Sequence, residues 1–391
     1  MLLIVKRLIV FFIFILILNC VYSQDSVKQK KILLNGYVKD MQTIIFQDVN
    51  EQWITSNLIH NRLNFKWLIS SAFTASVEIR NRFFYGDMLT FFPGYNETFE
   101  SDNGLISLTK NVLDEKSFLL NTSIDRAWLQ YTGTRLQLTL GRQRINWGQT
   151  FVWNPNDIFN SYSYFDFDYE EKPGSDAIRM QYYSSATSVM ELAVKSNKQN
   201  KITAAGLYRF NKWNYDIQFI GGIAEQTDFV IGTGWSGQVL KGGFRGEASY
   251  FHPEKNFNDT SGVVVASIGY DYTLENSLFM QFEVLYNGNK NSPDMLSLNQ
   301  FNSTNMDTKN LFISDYSLFG SLAYPITPLV NASMAGIVNP KSKLIFIIPS
   351  LNISLKENLE LSFVAQLLRY YEKQVVNQNL NFVFARLKGS F

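Results

Sequence analysis

The chain has one cysteine, Cys20, two histidines, His60 and His252, and a formal net charge of only +1. A lone cysteine excludes a disulfide framework and a cysteine metal site. Neither histidine has further ligands at the spacing a zinc site needs. Balanced charge, with no basic tail or stripe, argues against a nucleic-acid partner. Long apolar runs are missing beyond residue 24, so no later segment can cross a membrane as a helix. Such a chain is either soluble or crosses a membrane as a closed barrel, because hydrocarbon supplies no partner for backbone polar groups. No internal repeat of about 20–50 residues stands out, and nothing implies a cofactor.

The N-terminus does hold an apolar run. Lys6 and Arg7 precede an unbroken apolar core, Leu8 to Leu18, of signal-peptide length. Val21-Tyr22-Ser23 offers a small residue for cleavage. Residues 1–23 therefore read as a signal peptide, 24–32 as a flexible lead-in, and 33–391 as one domain. Lipoprotein processing at Cys20 is the competing reading, and Asn19 fits it poorly. A large N-terminal plug has no room before Leu33.

What is abundant is aromatic. There are 32 Phe and 20 Tyr against 18% charged residues, a balance that suits amphipathic strands. Phe73, Ala75, Val77, Ile79, Phe83 and Tyr85 share one face, interrupted only by Asn81. Thr74, Ser76, Glu78, Arg80 and Arg82 share the other. This is period two, hence a strand. The preceding stretch repeats it, with Ile59, Leu63, Phe65 and Trp67 opposed to His60, Arg62, Asn64 and Lys66. Between Leu33 and Phe391 there are about 18 such strands, with about 16 as the alternative count. Short turns fall near residues 132, 184, 211, 241, 275, 326 and 356. The long connections, near 86–118, 147–175, 252–262 and 288–309, fall on the opposite side. Two rims of unequal loop length predict an all-β, antiparallel, up-and-down transmembrane barrel. Tyr and Trp near strand ends, such as Trp67, Tyr85, Tyr131 and Tyr250, suit interfacial girdles.

The final strand, Leu380 to Phe391, has Val383, Ala385, Leu387 and Phe391 on one face and Phe384, Arg386 and Lys388 on the other. It resembles the assembly signal of Gram-negative outer-membrane barrels. That resemblance implies outer-membrane lipid and the barrel-assembly machinery as partners. The segment Gly141-Arg142-Gln143, with Trp147-Gly148, Asn154-Pro155 and Asp157, resembles a group of porin-like outer-membrane proteins. Porins are often homotrimers, and no sequence feature here demands one.

Arg62, Arg80, Arg82, Arg126 and Arg179 lie on the polar faces of early strands. Arg142 and Arg144 are out of phase and join them only through a bulge near Gly141. In general porins the third outer loop folds inward and faces a basic wall. The same arrangement here would set Asp157, Asp166, Asp168, Glu170 and Glu171 of the third long loop against the arginines. A rival reading has these charges bonding across a closed lumen. Gly232-x-Gly234-x-x-Gly237 matches a dinucleotide fingerprint but opens no helix, so it reads as glycines that thin a barrel wall. The leading expectation is a passive channel for small hydrophilic, anion-leaning solutes that performs no chemistry. The alternatives are a closed-lumen barrel for surface assembly or adhesion, an outer-membrane hydrolase using His60, and an exported soluble sandwich.

Overall fold

Period-two stretches become strands throughout the chain. A computed structural model describes residues 30–92, 94–160, 174–255, 257–289, 308–312, 314–370 and 378–391. The signal segment with Cys20, most of the lead-in, and Asp166, Asp168, Glu170 and Glu171 lie outside these residues.

The first strands are β1 (Ile32–Phe46), β2 (Ile54–Leu68), β3 (Phe73–Tyr85), β4 (Thr109–Glu115), β5 (Phe118–Thr132) and β6 (Leu136–Gln143). Then come β7 (Ser175–Ser185), β8 (Ser188–Ser196), β9 (Ile202–Lys212), β10 (Tyr215–Ala224), β11 (Asp228–Val239), β12 (Gly242–Pro253) and β13 (Val263–Thr273). The last are β14 (Phe279–Asn287), β15 (Tyr316–Thr327), β16 (Val330–Asn339), β17 (Leu344–Lys356), β18 (Leu359–Tyr370) and β19 (Gln378–Ser390).

Each spanning strand pairs antiparallel with its sequence neighbour, and β1 pairs with β19 from Tyr37↔Ser390 to Phe46↔Asn381. Main-chain bonds of 3.0 Å in both directions join Gly36 and Phe391 below that ladder. The result is a closed barrel of 18 strands. The remaining strand, β4, is an addition: β3 pairs directly with β5, and β4 lies on the other edge of β5.

Closure removes every edge, which is what hydrocarbon requires of a sheet. The apolar faces point outward: Leu140, Ile178, Leu192, Phe219, Ile231 and Phe282 are all more than half exposed. Arg62, Glu247, Glu283 and Ser317 are buried inside. A soluble sandwich has the opposite sense, so the exported-sandwich alternative is overturned.

The expected short turns all lie on one rim. Two of them, Trp213-Asn214 and Leu240-Lys241, have both residues at positive φ (56° and 61°, 49° and 69°). That is the type I′ geometry whose twist matches the flanking strands. The connections after β3, β6, β12 and β14 all leave from the other rim.

One stretch of the wall has an unusual construction. β6 is short and pairs only with residues 127–132 of β5. The upper part of β5, 118–123, pairs instead with β4 from the long connection after β3. Below β4, Gly104 bridges to Asn197 beyond β8, and the Ile106 N–H donates to Asp176 of β7 at 3.1 Å. Arg142 lies behind this segment, bound to Asp102 and Asp176, both at 2.7 Å. The connection after β3 is tethered at its start by Asp87, which accepts from the Thr55 hydroxyl at 2.6 Å and the Thr55 N–H at 3.1 Å. Those bonds hold the Asp87 carboxyl below its ordinary pKa.

Candidate functional site: the lumen and its inward loop

Gly141 begins the departure from the wall. Its φ of +114° is a conformation open to glycine, and an added Cβ would strike the carbonyl oxygen of Ala127. The ladders run through Gly141 to both neighbours without a register shift, so the expected bulge is not present. Gln143 then donates to the carbonyls of Thr139 and Ala177, at 3.0 and 3.1 Å, and the chain leaves the sheet. The base of the loop is tied by Asn160, which accepts from the Ile145 N–H (3.1 Å) and donates to Ser175 (3.0 Å).

Residues 144–160 cross the lumen, and two needs govern where they rest. Their large apolar side chains need cover. Ile145, Trp147, Val152, Trp153, Ile158 and Phe159 find it in one buried cluster with inward residues such as Leu207, Phe251, Leu285 and Phe346. Their backbone N–H groups also need acceptors, because an unpaired buried amide is costly.

Two glutamates supply the acceptors. Glu247 of β12 accepts from the N–H groups of Gln149, Thr150 and Asn156 at 3.2–3.4 Å, and from the Thr150 hydroxyl. Glu283 of β14 accepts from the consecutive N–H groups of Phe151, Val152 and Trp153 at 2.8, 3.0 and 2.8 Å, and from the Ser267 hydroxyl. Consecutive amides converging on one anion form a nest. Glu191 of β8 accepts from the Trp147 indole at 2.6 Å, and Gln218 of β10 donates to the Trp147 carbonyl at 2.6 Å. The loop is thereby fixed to β8, β10, β12 and β14.

Asn156 makes the tightest fit. It donates to the Thr233 carbonyl at 2.9 Å and accepts from Ser249 at 2.8 Å. A side chain on Gly232 or Gly234 would press against its amide. These glycines do thin the wall, and the space admits this one residue. Gly232→Val is expected to displace the loop and lower stability by about 1–3 kcal/mol, the usual range for overpacking. A thermal melt of the refolded barrel measures this.

The predicted basic residues separate into three groups. Arg62, Arg80, Arg82 and Arg126 gather on the inner face of β2, β3 and β5. Arg62 and Arg80 share Asp125 at 2.6 and 2.9 Å, and Arg62 also pairs with Glu78. Arg126 donates to the Asp125 carbonyl at 2.9 Å. Arg82 donates to Asn121 at 2.9 Å and lies 4.8 Å from the Phe99 ring centroid. Arg179 is elsewhere, bidentate on Glu191 at 2.7 and 2.8 Å beneath the loop. Arg142 is held by Asp102 and Asp176 behind the β4 segment, and Arg144 starts the inward loop, half-buried. Of the predicted loop acids only Asp157 is described, and it is buried within the loop. His60 faces inward, edge-on to Tyr37 at 5.4 Å.

Sequence reasoning missed Asp125, Glu191, Glu247 and Glu283. Each is an acid well inside a strand, on its polar face, and that placement was the available signal.

The fold is similar to that of solved bacterial outer-membrane β-barrels. The chain superposes on Acinetobacter baumannii OccAB4 (TM-score 0.56, 11% identity, 94% of this chain and 100% of that one). It also superposes on Pseudomonas aeruginosa OccK11 (0.57, 8%, 95% and 100%). A third similar structure is the Pseudomonas aeruginosa outer membrane protein OpdK, solved with vanillate (0.55, 8%, 92% and 98%). No protein-family model matches the chain, and no curated protein does.

Proposed function

We propose that the protein is a passive diffusion channel of the bacterial outer membrane for small hydrophilic solutes, with anions favoured. One observation carries the reading. The inward loop is bonded to β8, β10, β12 and β14, while the gathered arginines lie on β2, β3 and β5. A solute passing the loop on its unbonded side would run beside this group, in which Arg82 is half-buried and Arg62, Arg80 and Arg126 are buried against their partners and act through their field. Guanidinium groups in a narrow lumen favour anions, because the low local dielectric strengthens their field. The acids of residues 161–173, placed by sequence on the same loop, would oppose that wall and orient dipolar solutes. No chemical step, cofactor or metal enters this reading. Residues 1–23 serve as the export signal, and the strand ending in Phe391 serves as the assembly signal.

The test is single-channel recording of the refolded mature chain. Steady openings that scale with salt concentration support the channel. Arg80→Glu with Arg82→Glu reverses two charges in the wall and is expected to move the reversal potential toward cations in a salt gradient. An unchanged potential in a folded variant removes these arginines from the path. The second reading, a closed barrel for assembly or adhesion, draws on the ion pairs that already engage Arg62, Arg80 and Arg179. It is selected if the protein inserts and never conducts.

A further inference from the structure

Beneath the inward loop lies a cavity that neither the loop nor the arginine wall uses. Its volume is about 520 Å³, and it sits at the short-turn rim, where Asn214 and Lys241 line it. Its wall is the inner face of β10, β11, β12 and β13, at Asp216, Ser236, Arg245 and Asp271. In an outer-membrane barrel that rim faces the periplasm.

The cavity has a roof. Two residues further along each of the four strands, away from the rim, the inner position is taken up by the inward loop. On β10, Gln218 accepts from Gln149 at 2.8 Å and donates to the Trp147 carbonyl at 2.6 Å. It also holds Arg209 of β9 at 2.8 and 3.2 Å. On β11, a side chain at Gly234 would press on Asn156. On β12, Glu247 accepts from the Thr150 N–H at 3.2 Å. On β13, a Cβ at Gly269 would lie 3.2 Å from the Phe151 ring. Phe151 also covers Arg245, whose guanidinium stands 3.9 Å from the ring centroid. The cavity is therefore closed from the outer side and entered from the periplasm.

The charged residues that line it, Asp216, Asp271, Lys241 and Arg245, sum to zero. They are not all spent on one another. Arg245 donates to Asp271 at 2.9 Å and uses one of its five N–H donors among the described residues. Asp216 is exposed and accepts only from the Asn211 amide, at 2.8 Å. Asp216, Ser236 and Arg245 stand side by side in the ladders of β10, β11 and β12. An acid, a hydroxyl and a guanidinium thus form one row, its ends about 10 Å apart in backbone, two strand spacings. A lone ion of either sign would leave the opposite pole of this row unanswered. A neutral dipolar molecule answers both. We propose that the recess binds a short zwitterionic peptide from the periplasm, with its ammonium on Asp216 and its carboxylate on Arg245 and Lys241. An amino acid holds its two charges too close together to span the row. A peptide of two or three residues spans it and brings an amide to Ser236. Free peptides and the peptide stems of the cell wall share this chemistry. The inference rests on the outer-membrane placement of the barrel and not on its conducting solutes.

The test is isothermal titration calorimetry of the refolded mature chain in detergent, with alanyl-alanine as the probe. Saturable heat at one peptide per chain is expected. N-acetyl-alanyl-alanine lacks the ammonium, and alanyl-alanine amide lacks the carboxylate. Each is expected to bind about tenfold more weakly, the loss of one charge-assisted contact. Asp216→Asn, an exposed position whose change leaves the fold intact, is expected to weaken alanyl-alanine about tenfold and to leave the acetylated form as it was. No saturable heat overturns the proposal, as does equal binding of free and blocked peptides. Native affinity in a folded Asp216→Asn barrel overturns it too. Co-sedimentation with purified cell-wall sacculi separates the two sources. Retention of the native barrel but not of Asp216→Asn assigns the recess to wall peptides. Alanyl-alanine binding without retention assigns it to free peptides.

Discussion

Asp125→Ala is expected to lower the stability of the barrel by about 3–5 kcal/mol, the range for breaking a buried ion pair by removing one partner. The carboxylate is shared by Arg62 and Arg80, and Arg62 is 1% exposed. Without Asp125 the two guanidinium groups lose the anion between them and repel each other. Water entering the lumen relieves part of this, which argues for the lower end of the range. A second effect runs the other way in function. Removing one negative charge from the arginine wall raises its positive field, so the folded variant should discriminate more strongly for anions. Heat-modifiability on gels reads the first effect and reversal potential the second. A stable Asp125→Ala barrel of unchanged selectivity would show that the arginines neither depend on Asp125 nor face the path.

Glu247→Ala with Glu283→Ala is expected to release the inward loop while leaving the wall closed. The two carboxylates accept from six backbone N–H groups between Gln149 and Asn156. Each amide left buried without an acceptor costs about 1–3 kcal/mol. The sum is not additive, because a freed loop moves its amides into water. That movement is the predicted outcome. Open-channel conductance should rise and become noisy, and protease should cut within 144–160 before the barrel unfolds. Each single variant leaves one nest intact and should show a smaller change. Wild-type conductance and protease resistance in the double variant would mean that the apolar packing of Trp147, Trp153 and Phe159 suffices alone.

Much of the architecture could be read from residue order. Alternation in 73–85 and 54–68 gave face and register, because a slip of one residue would turn every arginine into the lipid. Turn lengths sorted the two rims. The departure after Gly141 was visible as a break in the leucine alternation of 136–140. The holding of the loop was not visible. Glu247 and Glu283 lie about ninety to a hundred and thirty residues beyond the amides they bind. Barrel closure alone brings them together, and a backbone N–H has no signature in sequence. Arg142 was placed with the lumen group on the condition of a bulge. Without the bulge it keeps its own phase and finds Asp102, forty residues earlier. Asn156 lay unremarked between Pro155 and Asp157, because nothing local distinguishes a buried amide from a loop amide.

Outer loops are ordinarily the expendable part of a barrel, the place where engineers trim and evolution tinkers. The segment from Asp102 to Glu115 does not share that freedom. It stands in for the missing upper half of β6, with β4 bonded to β5 on one side and Ile106 and Gly104 reaching β7 and β8 on the other. Leu105, Ile106 and Val112 are exposed there. Shortening this loop would leave a slot in the wall, with the N–H and C=O groups of residues 118–123 turned toward lipid. The seal of this barrel is thus discontinuous in sequence. Insertions here should be tolerated only near residues 87–100, before the chain returns to the wall.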